Sequence, residues 1–331
     1  MIWSNKRAWE WYDKKSWIKG FNYVTSNAVN STEMWQKETF SPEIIRKELK
    51  IAKEIGFNSC RVFLQYIVWK DDTISFEKRF EEFVNIAAEC SMSVLVVFFD
   101  DCAFAGKPPY LGVQDNPLIG VHNSQWTPSP GEILACDPKE LPLLKKYVQS
   151  IISKYTHDER ILAWDLYNEA GNSGMKEKTV PLLKTAFAWA REVNPSQPLT
   201  SCIWNYSYAH TCDSLCLQLS DIISFHSYEN YDTTEKHIQK LSEYERPILC
   251  TEWLHRPNGN KIETHVPLFK KWKVGMFNWG LIYGKTQTNL NWDTMTGNPN
   301  ANPKEWQCDL FYTDGTPYLT NEIQFMKYAF K

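Results

Sequence analysis

A single (β/α)8 barrel of the TIM type, spanning residues 1–331, is the fold this sequence predicts, and three observations carry it. Strand-like and helix-like segments alternate about eight times along the chain, which is the pattern of a parallel α/β fold. The length of 331 residues suits one large barrel, whereas an open sheet of that size would need fewer strands or a second domain. Two apolar runs, ILAWDLYNEA at 161–170 and RPILCTEW at 246–253, each lead into a glutamate, and short apolar runs with polar ends suit strands covered on both faces.

The first strand is expected at Trp17–Val24, where Gly20 and Asn22 allow a close approach near its end. After a loop carrying NSTEMW, Ser41 caps a helix with Pro42 at its first position, and Ile44, Ile45, Leu49, Ile51, Ala52 and Ile55 recur at helical spacing up to Gly56. Strand two reads Ser59–Leu64, and its helix runs from about Phe76 to Glu89. Strand three, Val94–Phe99, is wholly apolar and stops at Asp100 and Asp101. The stretch Cys102–Cys136 is rich in Pro and Gly and lacks a period; so long a loop in a compact domain is usually functional. Helix three, roughly Pro138–Tyr155, delivers the chain to strand four at 161–170. Helix four at Glu177–Glu192, strand five at Leu199–Trp204 and strand six at Asp221–Ser227 come next. Then follow helix six within Thr233–Tyr244, strand seven at Pro247–Glu252, helix seven near Ile262–Lys271 and strand eight at Val274–Trp279. A second long loop covers Leu281 to about Leu319, and a helix at Asn321–Phe330 closes the chain.

Composition narrows the function. The net charge of −3, with no basic stripe, lacks the footprint of a nucleic-acid binder. Residues 1–20 alternate charge and tryptophan without an apolar segment, so they predict neither a signal peptide nor a membrane helix. The chain as given reads as soluble, whether cytoplasmic or exported with its leader removed. The nine cysteines are scattered, without zinc spacing or a disulfide framework, and Cys60, Cys202 and Cys250 lie inside apolar runs as small hydrophobes. No glycine-rich phosphate cradle is present, and no cofactor is called for. Aromatic residues are abundant, with 15 Trp, 16 Tyr and 17 Phe, and flat apolar faces with polar handles suit sugar rings.

In a barrel the carboxyl ends of all strands meet on one face. Glu169, Glu252, Asp100, Asp101, Arg61, His226, Tyr228 and Trp279 are therefore expected around one pocket. Two glutamates across a pocket fit glycoside hydrolysis, in which one carboxylic acid protonates the leaving oxygen and a second carboxylate attacks or activates water. A separation of about 5 to 5.5 Å implies a covalent intermediate and retention, and roughly 6.5 to 9.5 Å implies inversion.

These motifs together resemble a clan A retaining glycoside hydrolase, nearest the family 5 cellulase-like group, over essentially the whole chain. LYNEAGN resembles the family's Asn-Glu signature, which implies Glu169 as acid/base and Asn168 as partner of the sugar 2-hydroxyl. ILCTEW resembles the strand-seven signature and implies Glu252 as nucleophile. GFNSCRVFL implies Arg61 as the residue steadying that carboxylate, although Arg61 could instead neutralise Asp165, which points the same way as Glu169 by strand parity. SFHSY resembles the family's His-x-Tyr after strand six, which implies His226 and Tyr228 beside the carboxylates, and the resemblance at FNWG implies Trp279 as the platform under the reacting sugar. The sequence departs from the family at FFDDCAF, where histidines are common. His122 in the long third loop is a candidate for the missing contact, and one of Asp100 and Asp101 is expected to face the pocket and close it for exo action, while the other braces the loop. The partner is a carbohydrate whose sugar and linkage stay open, as does the oligomeric state. Two rival readings are a metal-dependent barrel enzyme using Asp100, Asp101, Glu169, Glu252 and His226, and a catalytically inactive carbohydrate-binding barrel.

Overall fold

The structure, a computed structural model, describes residues 1–206, 211–297 and 305–331. Residues 298–304 of the long loop after the eighth strand lie outside the described residues.

The strands are β1 (Lys19–Tyr23), β2 (Ser59–Phe63), β3 (Ser93–Asp100), β4 (Ile161–Asn168), β5 (Leu199–Thr200), β6 (Cys202–Ile203), β7 (Ile223–His226), β8 (Ile248–Glu252) and β9 (Gly275–Asn278). All pair in parallel, in the order β5-β4-β3-β2-β1-β9-β8-β7-β6. The two edge strands are halves of the expected fifth strand. Thr200 pairs with Asp165 of β4, and Cys202 pairs with Ser224 of β7, so the chain passes from one edge of the sheet to the other at Ser201. This makes the sheet a (β/α)8 barrel whose fifth strand is broken. Ser201 is held there by its hydroxyl, which donates to Tyr167 O at 2.6 Å.

Burial explains the unbroken apolar runs, since every residue of β2, β4 and β8 is buried. One face of the strands packs on the helix layer, where Ile45, Leu49 and Ala52 of helix Pro42–Ile55 join the core. That helix begins at Ser41, whose hydroxyl accepts from Ile44 N–H, and ends at Gly56, whose φ of +107° lies in the left-handed region that favours glycine. The other face fills the barrel with Ile18, Phe63, Leu95, Val97, Leu162, Leu249 and Phe277. Gly20 makes that filling feasible, because a Cβ there would lie 2.2 Å from the Phe277 ring.

Among the described residues, the structure adds helices at Asn5–Asp13, Ser31–Trp35, Tyr66–Asp71, Glu132–Ala135 and Thr211–Leu219 beyond those the sequence predicts. Asn5–Asp13 belongs to the barrel interior, because Trp3, Ala8 and Tyr12 pack into the same cluster as the inward-facing strand residues. Trp3 N–H donates to Asp221 at 2.8 Å, and the Tyr12 hydroxyl donates to Lys273 O at 2.6 Å. No helix among the described residues is long and apolar enough to cross a membrane.

Candidate active site

The carboxyl ends of the strands surround a cavity of about 450 Å³, lined among others by Asn168, Glu169, His226, Tyr228, Glu252 and Trp279. Glu252 is the last residue of β8 and His226 the last of β7, so parallel pairing sets them side by side. Glu169 follows β4 with a φ of +42°, unusual for a side chain with a Cβ, and its N–H donates to Cys202 Sγ at 3.1 Å. The turn aims its carboxyl back across the barrel mouth. One oxygen of Glu169, one of Glu252 and a ring nitrogen of His226 all lie within 4.8 Å of one another.

Arg61, fully buried in the middle of β2, organises the floor. Its guanidinium donates to Glu252 Oε1 at 2.8 Å, Asp165 Oδ2 at 2.8 Å, Asn22 Oδ1 at 2.8 Å and Asn168 Oδ1 at 2.6 Å. Both readings of Arg61 therefore hold: it braces Glu252 and also neutralises Asp165. It lies beneath the cavity instead of lining it, so it reaches a ligand only through Glu252 and Asn168. The Tyr228 hydroxyl donates to the other oxygen of Glu252 at 2.8 Å.

The two glutamates therefore sit in unlike surroundings. Burial raises both above the ordinary carboxyl range. Glu252 accepts from the Arg61 guanidinium and the Tyr228 hydroxyl, which oppose that rise. Glu169 instead touches neutral groups: His226 Nδ1 at 2.7 Å, Cys102 Sγ at 3.2 Å and Asn172 Nδ2. Burial lowers His226 to about 3, so its ring is neutral.

The aspartate pair differs from expectation. Parity is right, because the two face opposite ways, but neither lines the cavity. Asp100 accepts from Asn168 Nδ2 at 2.9 Å, from the Cys102 amide at 2.9 Å and from Trp126 Nε1 at 2.7 Å. Trp126 comes from the third loop, is 1 % exposed and lines the cavity where Asp100 was expected. Asp101 accepts from the Tyr167 hydroxyl at 2.8 Å, the Gly171 amide at 2.7 Å and the Thr179 hydroxyl, and so braces the loop after β4. A direct substrate contact by either aspartate is thus replaced by support of Asn168 and of that loop.

His122 does line the cavity, with Nδ1 at 2.7 Å from Leu290 O of the eighth loop. Trp279 lines it too, with its ring edge-on to Phe63 and Trp126. Sequence reasoning missed Cys102, Asn172, Trp126 and Trp204. The one signal was the thiol directly after two carboxylates at a strand end.

Glu169, His226 and Glu252 could offer three ligands to a cation. The two aspartates of the rival metal set are not part of that group, and their oxygens accept hydrogen bonds from Asn168, Trp126, Tyr167 and neighbouring amides.

The family model for cellulase, glycosyl hydrolase family 5, matches residues 18–285. No curated protein matches the sequence. Among solved structures, a GH5_18 enzyme variant from Streptomyces cattleya in complex with Manβ1-4GlcNAc aligns with a TM-score of 0.64 at 13 % identity, covering 95 % of this chain and 80 % of that one. The endo-β-1,4-mannanase from Thermotoga petrophila aligns at 0.59 and 14 % identity, over 96 % and 78 % of the two chains. The exo-β-1,4-mannosidase Op5Man5 from Opitutaceae bacterium strain TAV5 aligns at 0.65 and 14 % identity, over 95 % and 59 %. At such identities the likeness is one of fold, and the family model, which spans most of the sequence, assigns membership: the chain belongs to glycosyl hydrolase family 5.

Proposed function

We propose that this glycoside hydrolase is a retaining, exo-acting β-glycosidase in which Glu252 is the nucleophile and Glu169 the acid/base. The observation that carries the reading is the unlike pair: two carboxyls with oxygens within 4.8 Å, one braced by Arg61 and Tyr228, the other in neutral contacts. One oxygen of each lying within 4.8 Å of the other supports the short carboxyl separation that double displacement uses. In the first step Glu252 Oε2 or Oε1 bonds to the anomeric carbon, the glycosidic C–O bond breaks, and the Glu169 proton goes to the leaving oxygen. In the second, Glu169 takes a proton from water, whose oxygen bonds to the anomeric carbon as Glu252 departs. Asn168 bonds the 2-hydroxyl and Trp279 serves as platform for the ring in this reading, which the bonds of Asn168 to Arg61 and Asp100 and the cavity lining support.

Exo action is supported by the two long loops. The Asn123 amide donates to Thr286 O at 2.8 Å, the Gly120 amide to Gln287 Oε1 at 3.0 Å, and Gln287 Nε2 to Leu118 O at 2.7 Å, which ties the third and eighth loops together. This seam spans the ends of β1 and β2, since those strands lie between β3 and β9 in the sheet. On the Glu169 side a second cavity of about 680 Å³ shares Asn172, Trp204 and Asn205 with the first, which gives a leaving group a way out. A terminal sugar fits the closed end, with the rest of the chain running past Glu169. Because three enzymes named above hold or act on β-mannosides, terminal β-mannose is the first substrate class proposed.

The test is a panel of aryl β-glycosides and β-linked oligo- and polysaccharides, with product anomer followed at early times. Turnover of a β-mannoside with retained configuration and release of single terminal sugars is the expected result. Inverted product would refute double displacement, internal cuts would refute the closed pocket, and no turnover on any glycoside would favour the sugar-binding alternative. Loss of turnover on adding a chelator would favour the metal-dependent one.

A further inference from the structure

We propose that Cys102 and Asn172 act as a paired clamp on one oxygen of Glu169, positioning residues that set when this carboxyl holds and when it releases its proton. The inference rests on the acid/base role proposed for Glu169. Both side chains meet Oε2, the oxygen opposite the one that faces His226. Each is itself held in place. The Cys102 amide is anchored on Asp100 Oδ1 at 2.9 Å, and the Asn172 carbonyl oxygen accepts from the Ser173 amide, which turns the Asn172 NH2 toward Glu169. Asn172 Nδ2 also lies 3.5 Å from Cys102 Sγ, so amide, thiol and carboxyl form one closed triangle at the cavity wall.

An acid/base must be served in two states, and the two groups divide that task. An amide NH2 can only donate, so Asn172 favours the carboxylate. A thiol can donate its hydrogen or accept at sulfur, so Cys102 can turn its S–H to the carboxylate and offer sulfur to the O–H of the acid. It stays a thiol throughout, because burial and the nearby Asp100 and Glu169 charges hold it far above the ordinary thiol range. Burial raises Glu169, and the bonds from Cys102 and Asn172 oppose that rise. The other groups around Glu169 are Arg61 of β2, Asp100 of β3, Asp165 of β4, Cys202 of β6, His226 of β7, Tyr228 beyond it and Glu252 of β8. None of them touches Oε2, so a change at Cys102 reads out on Glu169 first.

The experiment is the pH dependence of kcat/KM on an aryl glycoside for the full chain and its Cys102→Ala, Cys102→Ser, Asn172→Ala and Glu169→Gln variants, with Tm measured for each. Losing a donor to the carboxylate raises the Glu169 pKa. The alkaline limb should move up by about 0.5 to 1 unit in Cys102→Ala and Asn172→Ala, a weak charged hydrogen bond expressed in pH. Cys102→Ser, whose hydroxyl also donates and accepts, should return the limb to within about 0.3 unit of wild type. The acid limb should stay in place. An unmoved alkaline limb in both alanine variants would overturn the clamp, and so would an equal shift in Cys102→Ser, because packing and not donation would then be the cause. Glu169→Gln separates the two readings: it should abolish the alkaline limb, and if the limb persists there, the role of Glu169 falls and the clamp with it.

Discussion

Replacing Tyr228 by phenylalanine isolates one hydrogen bond at the proposed nucleophile. The Tyr228 hydroxyl donates to Glu252 Oε2 at 2.8 Å, while Arg61 holds the other oxygen at the same distance. Phenylalanine keeps the ring and its edge contact with Trp292, whose centroid lies 4.7 Å away, so packing is preserved. Glu252 is 6 % exposed, which leaves little water to replace the lost donor. A hydrogen bond to a charged group contributes about 1.5 to 3 kcal/mol, and one pKa unit corresponds to about 1.36 kcal/mol, so the loss amounts to about one to two units. The sign follows from the donor: it favours the ionised form, and its removal raises the Glu252 pKa. Since attack requires the carboxylate, the acid limb of kcat/KM should move to higher pH by that amount, with the alkaline limb unmoved. Departure of Glu252 from the sugar should also slow, because the hydroxyl no longer receives the returning charge. A burst of aryl leaving group on rapid mixing would report the accumulated glycosyl-enzyme. A shift of the alkaline limb instead would mean that Tyr228 acts on the acid, and the two roles would have to be exchanged.

Two further outcomes follow from the same geometry. Glu252→Ala should lose nearly all turnover, and azide should restore part of it as a glycosyl azide of inverted configuration; a retained azide, identified by NMR, would show that the acid/base had been removed. The aspartates should separate by readout. Asp100→Asn disturbs the anchor of Asn168 and should lower kcat/KM by about 10- to 100-fold, the scale of a charged hydrogen bond. Asp101→Asn sets an NH2 against donors from Tyr167, Gly171 and Thr179, which costs about 1 to 3 kcal/mol and should lower Tm by several degrees with little change in kinetics. Similar kinetic losses in both variants would show that the two carboxyls act as one unit.

What the sequence made legible is what short-range rules govern. Each barrel strand had to be apolar because both its faces are covered, so the runs at 59–64, 94–99 and 247–252 mark strands almost residue for residue. The helix at Ile262–Lys271 lies where its spacing predicted. Three of the missed helices are only four to six residues long, too short to show a helical period, and the two longer ones lack an apolar stripe of ordinary residues. Asn5–Asp13 reads NKRAWEWYD, charged and aromatic, and it is recognisable only once the barrel end it fills exists. Thr211–Leu219, TCDSLCLQL, buries two thiols and an aspartate on its inner side. Neither pattern signals a helix before the surface it packs on is known.

The aspartate pair shows where that limit lies. Alternation along a strand predicts that neighbours point to opposite faces, and Asp100 and Asp101 do. It predicts nothing about what stands above them. Trp126, 26 residues further on in a loop without period, folds over Asp100 and takes its place on the cavity wall. The carboxylate keeps its influence by holding Asn168, so substitution there should act on the rate through a neighbour and not through a lost sugar contact. The same logic applies to Cys102 and Asn172, which reach Glu169 from the loops after β3 and β4. Strands fix where the two glutamates stand and supply Arg61 and His226 to them, and the loops add Cys102, Asn172 and Tyr228. A Trp126→Phe variant would distinguish the two contributions, since it removes the Nε1 donor to Asp100 and keeps an aromatic ring at the wall. Asp100 loses one of its three donors, so the Asn168 anchor should loosen, and kcat should fall by about 3- to 10-fold, the scale of one weak neutral-donor bond felt through a neighbour. KM should stay near wild type if the wall, and not the bond, holds the sugar. A rise in KM with kcat unchanged would show instead that Trp126 contacts the substrate through its nitrogen and that the support of Asp100 is incidental.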